Sequence, residues 1–240
     1  MSFIDLFFPK HCLGCEQEGH YFCSACQKQI KTLEFQICPV CEKPAINGLT
    51  HPCCQSRYSL DGLVSLFPYE GIIKNAISKL KYHFVTDLAE ELFVLMIRTC
   101  LAGRQVTRVE ENRFKLLSHL RQDSKVILLP IPLHWRRENW RGFNQSELLG
   151  KKLADHFGWQ LRNDVLIRQK HTQPQVKLRG DKRQQNIQGA FKISPNIQIS
   201  QYPNIVIFDD VWTTGSTLNE AGKALKMAGF KSVWGLTICR

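Results

Sequence analysis

The chain has 240 residues, 43% of them hydrophobic and 22% charged, the balance of a water-soluble globular protein with room for one ordinary domain and a small accessory one. No apolar run approaches the ~20 residues of a membrane span, and the first ten residues carry neither a basic leader nor a long apolar stretch, so no signal peptide is expected and a cytoplasmic location is. The net charge of +11 favours anionic partners such as nucleic acid, nucleotides or anionic lipid.

Phe3, Ile4, Leu6, Phe7 and Phe8 form an apolar lead ended by Pro9, read as one helical turn packed on the adjoining cysteine-rich domain. Eight of the ten cysteines then fall between Cys12 and Cys54, which in a cytosolic chain points to metal and not to disulfides. Cys12/Cys15, Cys23/Cys26 and Cys38/Cys41 are three Cys-x-x-Cys knuckles. Each knuckle presents two thiolates at the edge length of a tetrahedral zinc site. The simplest assignment puts Cys12, Cys15, Cys23 and Cys26 on one zinc. Cys38 and Cys41 would share a second with ligands from His51, Cys53 and Cys54, and spacing alone does not choose among those three. A cross-braced pairing and a redox role for one knuckle are the rival readings. Zinc, one ion or two, would be structural, because a unit of about 50 residues builds little core of its own.

From Tyr58 the pattern changes. Residues 60–69 read as a strand broken at Pro68, and residues 71–81 as a helix with Ile73, Ala76, Ile77 and Leu80 on one face. Leu88, Leu92, Leu95 and Met96 mark a second helix, and residues 103–122 a variable connection with a short helix. Residues 125–130 form a buried strand that runs into a loop stiffened by Pro130 and Pro132. Between His134 and Gln145, Arg136, Arg137 and Arg141 interleave with Trp135, Trp140 and Phe143. Guanidinium groups match phosphate and aromatic faces stack on bases, so Arg136, Arg137, Trp140 and Arg141 are candidate nucleic-acid contacts. Tryptophans anchored in the core are the competing reading. A helix over 145–157 comes next, with Leu149, Leu153 and Phe157 as its buried stripe. Residues 168–191 are basic, polar and glutamine-rich, as an active-site flap or a plain solvated loop would be. Residues 134–183 hold 12 Lys and Arg against 5 Asp and Glu, so more than half of the net charge lies in a fifth of the chain.

Residues 204–217 are the most informative stretch. A charge-free β-branched run ends at Asp209 and Asp210, succeeded by Thr213, Thr214, Gly215, Ser216 and Thr217 and then by a helix with Leu218, Ala221, Leu225 and Ala228 on one face. A glycine that turns backbone N–H groups outward at a helix N-terminus is a phosphate site. Two carboxylates beside it suit sugar hydroxyls or hydrated Mg²⁺. An acidic turn with a Ser/Thr cap is the plainer alternative. Residues 231–239 close the chain as a strand, and Cys100 and Cys239 read as buried thiols.

The acidic pair with its Thr-Thr-Gly-Ser-Thr loop resembles the phosphoribosyl-pyrophosphate motif of type I phosphoribosyltransferases. With the cysteine knuckles, Pro130-Ile131-Pro132-Leu133, the run Arg141-Gly142-Phe143-Asn144-Gln145, and the segment holding Arg168, Thr172, Gln175, Arg183, Asn186 and Phe191, the chain resembles the ComF family (competence protein F, amidophosphoribosyltransferase-like) over nearly its whole length. The irregular Cys53-Cys54 end departs from that pattern. The resemblance implies a zinc-binding double ribbon over residues 1–57. Residues 58–240 would be an α/β domain of type I phosphoribosyltransferase fold, a mainly parallel sheet flanked by helices. It also implies that Asp209 and Asp210 hold the ribose hydroxyls and that residues 213–217 hold the 5′-phosphate of phosphoribosyl pyrophosphate with Mg²⁺. The loop carrying Leu133 would lie near the pyrophosphate, with Arg183 in the flap. The implied role is natural transformation, the handling of incoming single-stranded DNA alongside helicase and recombination proteins. Two functional classes stand open: a module that binds DNA and a sugar phosphate, and an active phosphoribosyltransferase whose acceptor no motif marks.

Overall fold

The computed structural model describes residues 9–82, 86–101, 126–170, 187–195, 197 and 204–240. The apolar lead at residues 3–8, the connection at 103–122 and most of the predicted flap, Arg183 included, lie outside them.

The cysteine-rich unit comes first. It holds α1 (Ser24–Gln27) and a two-stranded antiparallel ribbon, β1 (Gln36–Ile37) with β2 (Pro44–Ala45), and then short 3₁₀ turns at Ile46–Gly48 and Pro52–Cys54. Elements this short bury little by themselves. The unit leans on the larger one: the Gln36 side chain donates to Ser65 O and accepts from Ser65 N, and Glu91 Oε2 accepts the backbone N–H groups of Tyr21 and Phe22.

The larger unit runs β3 (Gly62–Phe67), α2 (Gly71–Tyr82), α3 (Thr86–Leu101), β4 (Val126–Pro130), α4 (Trp135–Arg141), α5 (Gln145–Phe157), β5 (Gln160–Leu161), β6 (Leu166–Arg168), β7 (Phe191–Ile193), β8 (Asn204–Val211), α6 (Ser216–Ala228) and β9 (Ser232–Cys239). Five strands form one sheet in the order β3-β9-β8-β4-β5, and every neighbouring pair is parallel. The fold is therefore the mainly parallel sheet flanked by helices that the motifs imply. In β8, Val206 and Phe208 face α2, α3 and α5, while Ile205 and Ile207 face α6. Burial on both faces is why the run is continuously apolar instead of alternating.

β4 continues outward through α5 to β5, and β8 continues through α6 to β9 on its other side. The two crossovers leave in opposite directions and pack on opposite faces. The carboxyl ends of β4 and β8 thus form a topological switch point, the crevice where open α/β sheets bind ligands.

Three features depart from the sequence reading. Residues 135–141 form a helix, capped by His134 Nδ1, which accepts the Arg136 N–H, and ended by Gly142 in the left-handed region. β5 is a two-residue edge strand. The predicted flap begins and ends in an antiparallel hairpin, β6 with β7, which is tied to α6 by the Gly189 N–H donating to Glu220 Oε1 at 2.6 Å. Among the described residues no helix is long and apolar enough to cross a membrane.

Phe208 lies fully buried at the centre of the sheet. Phe208→Ala should cost about 3–5 kcal/mol in urea unfolding; a loss under about 1 kcal/mol would mean that β8 is not the central strand.

Candidate functional site

At the end of β8 the chain turns sharply. The Trp212 N–H donates to Cys239 O at 2.8 Å, and the indole folds inward until only 4% of the residue is exposed. Gly215 then lies over that ring with φ of 65°. A Cβ there would stand 2.1 Å from Trp212 Cζ2, so both the backbone angle and the contact demand glycine. α6 starts at Ser216 with no side-chain cap on its N-terminus. Among the described residues, nothing accepts the backbone N–H groups of Thr213, Thr214, Gly215 or Ser216. Orphan amides converging at a helix N-terminus attract an anion. Asp209, Thr213, Gly215, Ser216 and Thr217 line a shallow depression of only ≈ 10 Å³. That is far below the ~300–1,000 Å³ of a pocket that encloses a whole ligand, so an anion would rest on the open face of the loop.

The carboxylates are wired differently from each other. Asp210 is 5% exposed; its Oδ2 meets Lys81 Nζ at 2.8 Å and accepts from Gln145 Nε2 at 3.3 Å. Burial alone would lower the Lys81 pKa, but the charge and hydrogen bond of Asp210 hold it above the usual lysine value. Asp209 Oδ1 accepts from Ser146 Oγ at 3.1 Å and from the Asp210 N–H at 2.9 Å, while its Oδ2 takes no partner among the described residues. Burial, and next the neighbouring Asp210 charge, push the Asp209 carboxyl up to about 7.

The Arg-Gly-Phe-Asn-Gln run is the wiring. Gly142 ends α4 and Phe143 packs on the core beneath. Asn144 caps α5 through Ser146 N and donates to Ile131 O. Arg141 Nη1 donates to Gln145 Oε1 at 3.1 Å, so Gln145 passes a chain of contacts from Arg141 to Asp210. Leu133 stands half-buried in the loop after β4. The tryptophans of α4 are not core anchors: Trp135 is 59% and Trp140 66% exposed, and the Arg136 guanidinium lies 5.2 Å from the Trp135 ring centroid. Arg137 belongs to the same helix, and its side chain lies outside the described residues. Lys81 and Ser146 carry no sequence signal of their site role. Lys81 closes an ordinary amphipathic helix, and only the tertiary fold shows its partner.

The cysteines form two clusters, Cys12/Cys15/Cys23/Cys26 and Cys38/Cys41/His51/Cys54, with ligand atoms within 4.8 Å of one another. Both suit structural zinc. In the first, Cys15 Sγ lies 3.6 Å from Cys23 Sγ, close to the ~3.8 Å edge implied by Zn–S bonds of about 2.3 Å. Burial pushes the Cys12 thiol up, but backbone N–H groups of Cys23, Cys15 and Gly14 outweigh it and lower the pKa to about 6. Cys38 shows the same pattern and falls to about 7. Such amides favour the thiolate that a metal takes. In the second cluster His51 Nδ1 meets Cys41 Sγ at 3.3 Å, and Nε2 meets Pro44 O at 3.0 Å. The carbonyl takes the outer N–H and leaves Nδ1 facing the site. Cys53 is exposed and lies outside the cluster, although its Sγ is 3.9 Å from Cys54 Sγ.

Metal analysis should find two zinc ions per chain, one in Cys54→Ser and two in Cys53→Ser; equal loss from both variants would remove the distinction between them. In ligand-free protein, an Asp209 carboxyl that folding raises from about 3.9 to about 7 destabilises the native state increasingly as pH climbs from about 4 to about 7, and the loss levels off above that because both states are then ionised. Asp209→Asn should therefore gain stability over wild type as pH rises from about 4 to about 7 and hold it at higher pH, reaching about 1–3 kcal/mol in urea titrations. A pH-independent difference would refute the raised carboxyl.

Comparison with known proteins agrees with this geometry. Residues 3–56 match the double zinc ribbon domain. Competence protein F of Haemophilus influenzae is 30% identical over 241 residues, covering 96% of this chain and 97% of that protein. DNA utilization protein YhgH of Escherichia coli (strain K12) is 29% identical over 92% of both chains. Competence protein ComFC of Bacillus subtilis (strain 168) is 25% identical over 91% of this chain and 83% of its own. The parallel sheet, the paired cysteine clusters and a 30% match across both lengths place the chain in the competence protein F (ComF) family.

Proposed function

We propose that this protein handles single-stranded DNA taken up into the cytoplasm, and that its larger domain, residues 58–240, binds phosphoribosyl pyrophosphate or a related sugar phosphate with Mg²⁺. The smaller domain, residues 1–57, carries structural zinc. The observation that carries the ligand reading is the set of backbone amides from Thr213 to Ser216 that have no partner among the described residues, beside the Asp209 Oδ2 that likewise has none there. The amides, with the hydroxyls of Thr213, Thr214, Ser216 and Thr217, hold the 5′-phosphate. Asp209 accepts a ribose hydroxyl. Asp210, held by Lys81, keeps Asp209 in place and supplies negative charge to a cation bound beyond it. Leu133 shapes the wall next to the pyrophosphate, and Arg183, outside the described residues, is proposed as a further contact to the same anion.

The DNA reading rests on the names of the relatives and on α4, where Arg136 stacks on an exposed tryptophan and Trp140 is exposed as well. Arg136 with these exposed rings pairs a phosphate contact with base-stacking platforms, and Arg137 and Arg141 of the same helix are proposed as further phosphate contacts. Helicase and recombination proteins are the partners that such a role calls for. Turnover is the second reading, favoured by an acid pair wired through Ser146 and Gln145 as a preorganised site requires.

Calorimetry with phosphoribosyl pyrophosphate and Mg²⁺ should show saturable binding to wild type, at least tenfold weaker in Asp209→Asn and absent in Gly215→Val. Equal titration heats in all three proteins would remove the pocket. Pyrophosphate release in the same mixture would establish an enzyme. Oligonucleotide binding should weaken linearly in log affinity against log salt, and Arg136→Ala/Trp140→Ala should lose about 1–3 kcal/mol. Unchanged affinity would remove α4 from the DNA interface.

A further inference from the structure

The second cysteine cluster and the anion loop are clamped together at two points. The first is Trp212. A buried indole N–H needs an acceptor, and Trp212 Nε1 donates to Glu42 Oε1 at 3.3 Å. Glu42 is the residue after Cys41 and sits at φ 59°, its N–H donating to Cys38 O at 2.9 Å. Its place is therefore set by the turn of the Cys38/Cys41 knuckle. The second point is Asn219, in the first turn of α6. Its Nδ2 donates to Pro39 O of the same knuckle at 3.1 Å, and its own N–H donates to Gly215 O at 2.8 Å. Between these clamps lie Thr213, Thr214, Gly215 and Ser216, with Gly215 resting on the Trp212 ring.

We propose that Glu42 and Pro39 of the second ribbon position the anion loop, so that loading of the Cys38/Cys41/His51/Cys54 cluster and binding of a sugar phosphate at residues 213–216 strengthen each other. Secondary structure alone does not hold that knuckle rigid. β1 and β2 are two residues each, and a metal cluster is what fixes so small a turn. A loose knuckle frees the indole, and a free indole withdraws the surface that Gly215 lies on. The coupling is reciprocal by thermodynamic linkage: whatever tightens the loop must also retain the metal. The inference rests on the loop being an anion site, and its test separates the two ideas.

The experiment uses the zinc-loaded full chain. Among five tryptophans, the indole N–H resonance of Trp212 is identified by its disappearance in Trp212→Phe. Without any ligand, that resonance should move in Cys54→Ser, and also in Glu42→Ala, which keeps both zinc ions. Glu42→Gln, which retains an oxygen acceptor, should restore it. Ribose 5-phosphate should bind Glu42→Ala/Asn219→Ala about tenfold more weakly than wild type. Saturating ribose 5-phosphate should slow zinc release to a chromophoric chelator from the second site of wild type and not of the double variant. An indole shift without ribose 5-phosphate binding in any protein would uphold the clamp and reject the anion site. Binding of equal strength in wild type and double variant, with an unmoved resonance in Glu42→Ala, would overturn the clamp and leave the anion site standing.

Discussion

Two adjacent carboxylates at the end of a strand covered on both faces set the electrostatic problem that the rest of the larger domain solves. Removing ionised groups from water costs several kcal/mol apiece unless each is paired, and two such groups on neighbouring residues also repel. Lys81 answers the first: α2 is placed so that its last turn delivers one ammonium to Asp210 at 2.8 Å. The second is answered by proton uptake. Asp209 has hydrogen bonds from Ser146 Oγ and the Asp210 N–H but, among the described residues, no cation of its own, and its carboxyl rises to about 7. One acid is thus neutralised by an ammonium and the other holds its proton to higher pH, the perturbation that marks candidate functional sites. Arg-Gly-Phe-Asn-Gln makes sense only in this setting, because Asn144 fixes the start of α5 so that Gln145 and Ser146 each reach one of the two acids.

Much of this was legible in the sequence, for identifiable reasons. The bounds of α5, Gln145–Phe157, come from an Asn cap and an apolar stripe three and four residues apart. The charge-free run before Asp209 announced a strand buried on both faces. The glycine and hydroxyls after the acids marked the turn into the next helix, which starts at Ser216. α4 was missed because it lacks an apolar face. Seven residues with both tryptophans exposed carry no periodic signal, and the caps at His134 and Gly142 define it instead. The β6–β7 stem was missed because three-residue strands on either side of a polar segment look like loop. Lys81 and Asp210 stand 129 residues apart, and no local pattern joins them. Of the three residues left open for the second metal site, the cluster takes in His51 and Cys54, a choice made by the 3₁₀ turn at Pro52–Cys54 and not by spacing.

The cysteine-rich unit is more than an appendage, and its attachments show why. A ribbon of two-residue strands cannot offset its own conformational entropy by burial, so metal must stabilise it from within and the larger domain from outside. The external contacts are apolar, through Tyr21, Phe22 and Ile37 buried in the larger domain's hydrophobic clusters, and also polar and specific. Gln36 meets both backbone groups of Ser65 on β3, Glu91 on α3 caps two amides beside Cys23, and Arg240 at the end of β9 donates to Phe35 O. Two of these polar anchors lie on or at the end of sheet strands and the third on the helix α3 that packs on the sheet, so the knuckles are registered against the sheet whose strand β8 carries the acids. Contacts of this kind, unlike an apolar interface, fix position to within a hydrogen bond's tolerance. That tolerance is tighter than the side chains of Tyr21, Phe22 and Ile37 would impose by burial alone, although both hydrophobic layers of the sheet take part of their packing from this small unit.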